Sequence, residues 1–291
     1  MNFQLHGLPR FARSDNAFFH FSNARMTAPL PTQWLNNPQA SARLALACLD
    51  LTSLNTTDTE ADIVTLCQRA QSPFGPVAAV CVWPRLAAFA RAQLPASIGV
   101  AAVANFPQGG SDIDTAVRDT QQIVQAGAQE VDVVLPYRSL KAGDERAASQ
   151  LLVAVHRACP GLLLKVILET GELKTPTLIE RACQLSLDGG ADFLKTSTGK
   201  TPVSATLAAA RTMLGAIAAS PAARHRVGFK ASGGIRTVAE ATAYLALTQE
   251  LLGAQALTPQ RFRIGASSLL NDIEAVLSGR SAGTATQAGT Y

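Results

Sequence analysis

Histidine, paired cysteine and long apolar runs are all scarce in this chain, and each shortage closes off a class of function. Only four histidines occur, His6, His20, His156 and His225, with no two at ligand spacing. With no HExxH helix and no CxxC pair either, the sequence offers no metal site. The five cysteines, Cys48, Cys67, Cys81, Cys159 and Cys183, are odd in number and mostly set in apolar runs, so they read as reduced core thiols. No apolar stretch reaches the roughly 18 to 20 residues of a membrane span, and the first thirty residues lack the apolar core of a secretory signal. A soluble, cytoplasmic protein is expected. Net charge is only +4, and Lys and Arg are scattered, so there is no basic stripe that would track a nucleic-acid backbone. The positive excess suits a small anionic ligand equally well.

What is present is a repeated grammar. In 291 residues that are 47% hydrophobic, short β-rich runs alternate with Ala-rich stretches of helical period. Strands are expected near Leu44–Leu51, Val77–Val82, Ile98–Ala104, Glu130–Leu135, Leu163–Glu169, Asp192–Thr196, Val227–Lys230 and Phe262–Gly265. Helices are expected over Thr59–Ala70 with Asp58 as cap, Asp112–Ala126, Gly143–Ala158, Thr177–Leu187, Ser204–Ala218, Thr237–Leu252 and Ser268–Leu277. Eight parallel strands with following helices close into a single-domain α/β architecture, the (β/α)8 TIM barrel. A doubly wound sheet is the competing fold, but no GxGxxG follows the first strand. The domain is expected over residues 32–278. Residues 1–31 read as an extra or disordered arm, with Met26 an alternative start, and 279–291 as a flexible tail rich in Ser, Gly, Thr and Ala.

Inward positions of barrel strands are usually Val, Ile or Leu, and this chain breaks that pattern repeatedly. Asp132, Lys165, Lys195 and Lys230 lie in four neighbouring strands. If all point inward, one carboxylate and three ammonium groups share an interior, where an ion alone costs several kcal/mol. A salt-bridge lattice that merely fills the barrel is the bland reading, and Glu169, with the parity of Lys165, could reduce the imbalance. The surplus positive charge favours another reading. Burial and a like charge both disfavour an ammonium ion, leaving an amine nucleophile. Such an amine attacks a carbonyl to give an iminium ion, an electron sink that permits aldol chemistry. Lys195 is favoured by its place at the C-terminal mouth, ahead of Thr196-Ser197-Thr198-Gly199-Lys200, with Lys230 as the neighbouring cation and Asp132 as the acid/base. Ser232-Gly233-Gly234-Ile235-Arg236 and Gly265-Ala266-Ser267-Ser268 follow the seventh and eighth strands, where such barrels often bind phosphate on backbone N–H groups.

These segments carry a resemblance. LDLT with Leu54-Asn55, Asn105-Phe106-Pro107, EVDVVLPYR (130–138), LLKVILETGELK (163–174), ADFLKTSTGK (191–200), VGFKASGGIRT (227–237) and RIGASSLL (263–270) together resemble the deoxyribose-phosphate aldolase family of class I aldolases. The resemblance implies reversible cleavage of 2-deoxy-D-ribose 5-phosphate to D-glyceraldehyde 3-phosphate and acetaldehyde through a Schiff base on Lys195, with no cofactor or metal. It implies Lys230 as the neighbour that lowers the Lys195 pKa and Asp132 as the proton relay. Thr198, Lys200, Gly233, Gly234, Gly265, Ser267 and Ser268 would line the phosphate pocket, and Asp50, Cys81, Lys165 and Arg236 would support the site. Tyr291 fits a tail tyrosine that moves a proton, and the assembly would be a homodimer or homotetramer. Ala231-Ser232 departs from the family's usual Pro-Ala at that place, and the first thirty residues have no counterpart. The rivals are another phosphosugar barrel enzyme, an isomerase or an aldolase of different acceptor range, and a non-catalytic sugar-phosphate sensor.

Overall fold

The computed structural model describes residues 32–280. Eight strands pair in parallel in sequence order: β1 (Leu49–Thr52), β2 (Ala79–Val82), β3 (Gly99–Ala104), β4 (Glu130–Val134), β5 (Leu163–Ile167), β6 (Phe193–Lys195), β7 (Gly228–Ser232) and β8 (Phe262–Ala266). β8 closes on β1. Around them run α1 (Pro38–Ala47), α2 (Glu60–Arg69), α3 (Pro84–Gln93), α4 (Ile113–Gln125), α5 (Tyr137–Lys141), α6 (Glu145–Ala158), α7 (Thr170–Leu173), α8 (Pro176–Asp188), α9 (Leu207–Ala219), α10 (Val238–Leu252) and α11 (Leu269–Leu277). The fold is a (β/α)8 barrel. Among the described residues no helix is long and apolar enough to cross a membrane. The arm expected over 1–31 and all but the first two residues of the expected tail lie outside the described residues.

Local chemistry moves several expected boundaries. Residues 44–47 are helical rather than strand. Asn37 caps α1 by accepting from the Ala40 N–H at 3.1 Å, and Pro38 starts the helix with its φ already set. Ala42, Ala45 and Leu46, at i, i+3 and i+4, then bury one face, so β1 begins only at Leu49. The cap of α2 is Thr59, in a reciprocal box with Asp62. Asp58 turns back instead to accept from the Ser53 hydroxyl at 2.7 Å and the Asn55 N–H at 3.0 Å. Helix α3, absent from the sequence reading, starts at Pro84 and buries Leu86, Ala87 and Ala90.

Parallel partners in register point to the same side of the sheet. Asp132 is in register with Lys165, Lys195 with Lys230, Lys230 with Arg263, and Gly265 with Asp50. One charged side chain facing inward therefore carries the others with it. The opposite parity, including Val131, Val133, Leu164, Val166, Leu194, Phe229 and Ile264, is fully buried between sheet and helices. Room for long inward side chains comes partly from Gly228, where a Cβ would stand 2.4 Å from the Phe193 ring.

Candidate active site

Seven ionised groups fill the barrel: the carboxylates of Asp50, Glu130 and Asp132, and the cations of Lys165, Lys195, Lys230 and Arg263. All are at most 5% exposed. Six of them form a closed loop of alternating charge. Arg263 Nη1 donates to Asp50 Oδ1 at 2.5 Å, and Lys230 Nζ bridges Asp50 Oδ2 at 2.5 Å and Asp132 Oδ2 at 2.8 Å. Lys165 Nζ joins Asp132 Oδ1 at 2.7 Å to Glu130 Oε2, and Arg263 Nη2 returns to Glu130 Oε1 at 2.8 Å. The loop is neutral, each anion serving two cations. Lys195 is the seventh member and the surplus one. Its Nζ lies 2.8 Å from Asp132 Oδ2, the oxygen that Lys230 already occupies.

The electrostatics follow that topology. Burial disfavours the charge on every member. For Lys165, Lys230 and Arg263 the flanking carboxylates outweigh burial and hold the cations protonated, above their ordinary range. Burial likewise raises Asp132, but Lys165, Lys195 and Lys230 outweigh it and keep the carboxyl well below the usual range. Asp50 is lowered against burial by Arg263 and then Lys230 and Lys165, and Glu130 by Arg263 and then Lys165. Lys195 alone among the lysines of the cluster is shifted down. Burial is the largest cause, opposed by Asp132 and reinforced by Lys230. The arrangement thus supplies one amine that gives up its proton readily, held against an ionised carboxylate.

Glu169 does not join this network. It sits beyond β5 in a left-handed conformation, φ 57°, and its buried carboxylate accepts from the Thr198 N–H at 3.3 and 3.4 Å, from the Thr198 hydroxyl, and from Thr201 Oγ1 at 3.3 Å. The expected compensation of Lys165 comes instead from Glu130, two residues before Asp132 and so on the same face. Cys81 packs against the cluster, its Sγ 3.9 Å from Asp132 Oδ2, and burial raises its thiol.

At the mouth, the loops after β6, β7 and β8 enclose a cavity of about 230 Å³. Gly199, Ser204, Gly233, Gly234, Arg236, Ser267 and Ser268 are among its lining residues. The two glycine loops approach closely. Gly233 has φ +87°, and a Cβ there would lie 3.2 Å from the Gly199 Cα and 2.6 Å from the Ser204 Cβ. The loop bases are tied together, Thr196 Oγ1 donating to the Ser232 carbonyl at 3.2 Å and accepting from the Ser232 N–H at 3.0 Å.

Three residues expected in the pocket are not among those lining the cavity. Thr198 is turned to Glu169, and Gly265 lies within β8, where a Cβ would crowd Ser232 Oγ at 2.8 Å. Lys200 reaches across the mouth to the Leu54 carbonyl at 2.9 Å. Asp50 and Lys165 belong to the neutral loop, Arg236 is exposed at the cavity rim, and Tyr291 lies outside the described residues. The sequence reading missed Glu130 and Arg263 as network members, and Gly199 and Ser204 as cavity residues.

The DeoC/LacD family aldolase profile matches residues 44–275. The chain belongs to that family of aldolases. It is 48% identical over 251 residues to the deoxyribose-phosphate aldolase of Agrobacterium fabrum, covering 85% of this chain and 96% of that one. Among solved structures, the tetrameric deoxyribose phosphate aldolase of Aeropyrum pernix superposes with a TM-score of 0.64 at 25% identity, over 85% of this chain and 95% of that one. The aldolase QR15 superposes at 0.68 with 28% identity, over 80% and 96%. The match spans the strands that carry all seven buried charges and the loops of the cavity, so the aldolase chemistry is to be sought in these groups.

Proposed function

We propose that this aldolase reversibly cleaves 2-deoxy-D-ribose 5-phosphate to D-glyceraldehyde 3-phosphate and acetaldehyde through a Schiff base on Lys195. The observation that carries the reading is the surplus position of Lys195, one ammonium too many on a carboxylate already shared by two others. The uncharged amine adds to C1 of the open-chain sugar, and loss of water gives the iminium ion. A base removes the proton of the C3 hydroxyl, the C2–C3 bond breaks, and its electron pair becomes the enamine while glyceraldehyde 3-phosphate leaves. Protonation of the enamine carbon and hydrolysis of the resulting iminium release acetaldehyde and restore the amine. Asp132, ionised and in contact with Lys195, is the group suited to exchange these protons directly or through water. The phosphate is assigned to the cavity of Gly233, Gly234, Ser267, Ser268 and Arg236, where glycine backbone and a guanidinium meet.

The test is reductive trapping. Acetaldehyde with borohydride should leave an N-ethyl group on Lys195, located by peptide mass spectrometry, and turnover should be lost in step with the modification. An adduct confined to another lysine, or full turnover after Lys195 is blocked, would refute the assignment. A cytoplasmic homo-oligomer accompanies this reading, supported by the tetrameric Aeropyrum pernix relative. Light scattering on the purified chain measures the assembly, and a monomer would overturn that part.

A further inference from the structure

Glu130 and Arg263 take no part in the chemistry just described. They lie on the far side of the neutral loop from Lys195: Glu130 opens β4, and the Arg263 Nε donates to the Pro259 carbonyl on the segment before β8. Both are nevertheless tied to the acceptor of Lys195, because every contact in the loop is shared. Asp132 has one oxygen on Lys165 and the other on both Lys230 and Lys195. How much of Asp132 is left for Lys195 depends on how strongly its other two cations are held elsewhere. Glu130 holds Lys165, and Asp50, oriented by Arg263, holds Lys230.

We infer that Glu130 and Arg263 are positioning residues of opposite sign, which act through the ion loop to set how readily Lys195 gives up its proton. The inference rests on Lys195 being the imine-forming amine. If the Glu130 charge is removed, Lys165 is left to Asp132 at 2.7 Å and, more distantly, to Asp50 at 3.7 Å, the buried surplus of positive charge grows, and Lys195 sheds its proton at lower pH. If the Arg263 charge is removed, Asp50 keeps only Lys230 at 2.5 Å and Lys165 at 3.7 Å, both are drawn off Asp132, and Lys195 keeps its proton to higher pH. The other groups facing Lys195 or its acceptor are Cys81 on β2, Lys165 on β5, Glu169 beyond β5 and Lys230 on β7. None of these is substituted in either variant, and β3 presents only Ala101 and Val103 at the matching register. A loop that merely filled the barrel would give the two variants a common effect, a loss of stability, with no sign attached.

The experiment follows the initial rate of acetaldehyde trapping on Lys195 against pH in the full-length enzyme, with cyanoborohydride as the reductant and peptide mass spectrometry as the readout. Glu130→Gln should move the midpoint down and Arg263→Met should move it up, each by about one pH unit, a tenfold change in the uncharged fraction at a fixed pH below the midpoint. Arg263→Lys, which keeps the charge, should return the midpoint to the wild-type value. Unmoved midpoints, or shifts of the same sign in Glu130→Gln and Arg263→Met, overturn the inference while leaving the Schiff base intact. Absence of any Lys195 adduct in the wild-type enzyme overturns the proposed function, and this inference falls with it. Should Arg263→Met fail to fold, the isosteric Glu130→Gln decides, since an unmoved midpoint there is enough to reject the idea.

Discussion

Replacing Lys230 with Leu tests the electrostatic account most directly. The Lys195 and Lys230 nitrogens each lie 2.8 Å from Asp132 Oδ2, so they are separated by no more than twice that distance. Two like charges about 5 Å apart at an effective dielectric constant of about 20 repel by about 3 kcal/mol, worth on the order of a hundredfold in the uncharged fraction of Lys195. Both are buried, so bulk screening takes little from this figure. Removing Lys230 also leaves Asp132 Oδ2 to Lys195 alone, which acts in the same direction. The sign is therefore fixed: Lys195 holds its proton to higher pH, the rising limb of kcat/KM moves to alkaline pH, and the rate near neutrality falls by about a hundredfold. The variant also leaves Asp50 Oδ2 without its nearest cation, and breaking a buried pair costs about 3–5 kcal/mol, so folding has to be verified by circular dichroism first. A folded Lys230→Leu enzyme that is slow at every pH, with its profile unmoved, would refute the reasoning. Lys230 would then act by donating a proton and not by its field.

Lys195→Met should abolish turnover yet unfold at higher urea concentration than the wild type, by about 1–3 kcal/mol, because it removes a buried cation and leaves a neutral loop behind; a destabilised variant would show that Lys195 is an integral part of the ion network. Gly233→Ala forces a side chain at φ +87° to within 2.6 Å of Ser204 Cβ, which should raise KM for deoxyribose 5-phosphate and leave that for unphosphorylated deoxyribose nearly unchanged, as steady-state kinetics on both substrates would reveal. Arg236→Gln should raise the same KM roughly tenfold, the loss of one charge-assisted hydrogen bond of about 1.5 kcal/mol, and equal effects on both substrates would remove Arg236 from the phosphate site. Tyr291→Phe should slow exchange of the acetaldehyde methyl protons with deuterated water on the order of a hundredfold if the tail tyrosine carries that proton; NMR of the exchange measures it.

Strand parity made the centre of the site legible. Asp132, Lys165, Lys195 and Lys230 interrupt apolar strands singly, and the register of the closed barrel brings them together. Counting one charge per strand hid the rest. Glu130 has the parity of Asp132 and Arg263 that of Gly265, but each sits near a strand's beginning, where a charged residue reads as a solvated end. With Asp50 they change the balance from three cations on one carboxylate to four on three. Helix α1 was misread because its apolar residues resemble a strand until the Asn37-Pro38 start signal is weighed. Thr198 was placed in the pocket because its loop is there; its direction depends on the left-handed turn at Glu169, a backbone choice that no local pattern of residue types announces.

Stability alone does not account for an ion cluster of this size. Buried ion groups can often be exchanged for apolar side chains of similar volume at no loss, because desolvation consumes most of the Coulomb gain. A barrel interior of Val, Ile and Leu would close as well, and the outward parity of these same strands already provides the apolar contact with the helices. What an apolar interior cannot do is what the proposed Schiff-base chemistry asks, to keep a carboxylate ionised beside an amine that gives up its proton. An isolated Asp132–Lys195 pair would not serve the proposed chemistry either, since the carboxylate would fix the ammonium and leave no free amine. Saturating Asp132 with two other cations, themselves held by Asp50 and Glu130, separates the two requirements: the acid stays charged, and its hold on Lys195 is weak. The closed loop is therefore best understood as the smallest neutral arrangement in which three carboxylates are each bridged by cations and a seventh group can be added as the sole unbalanced charge.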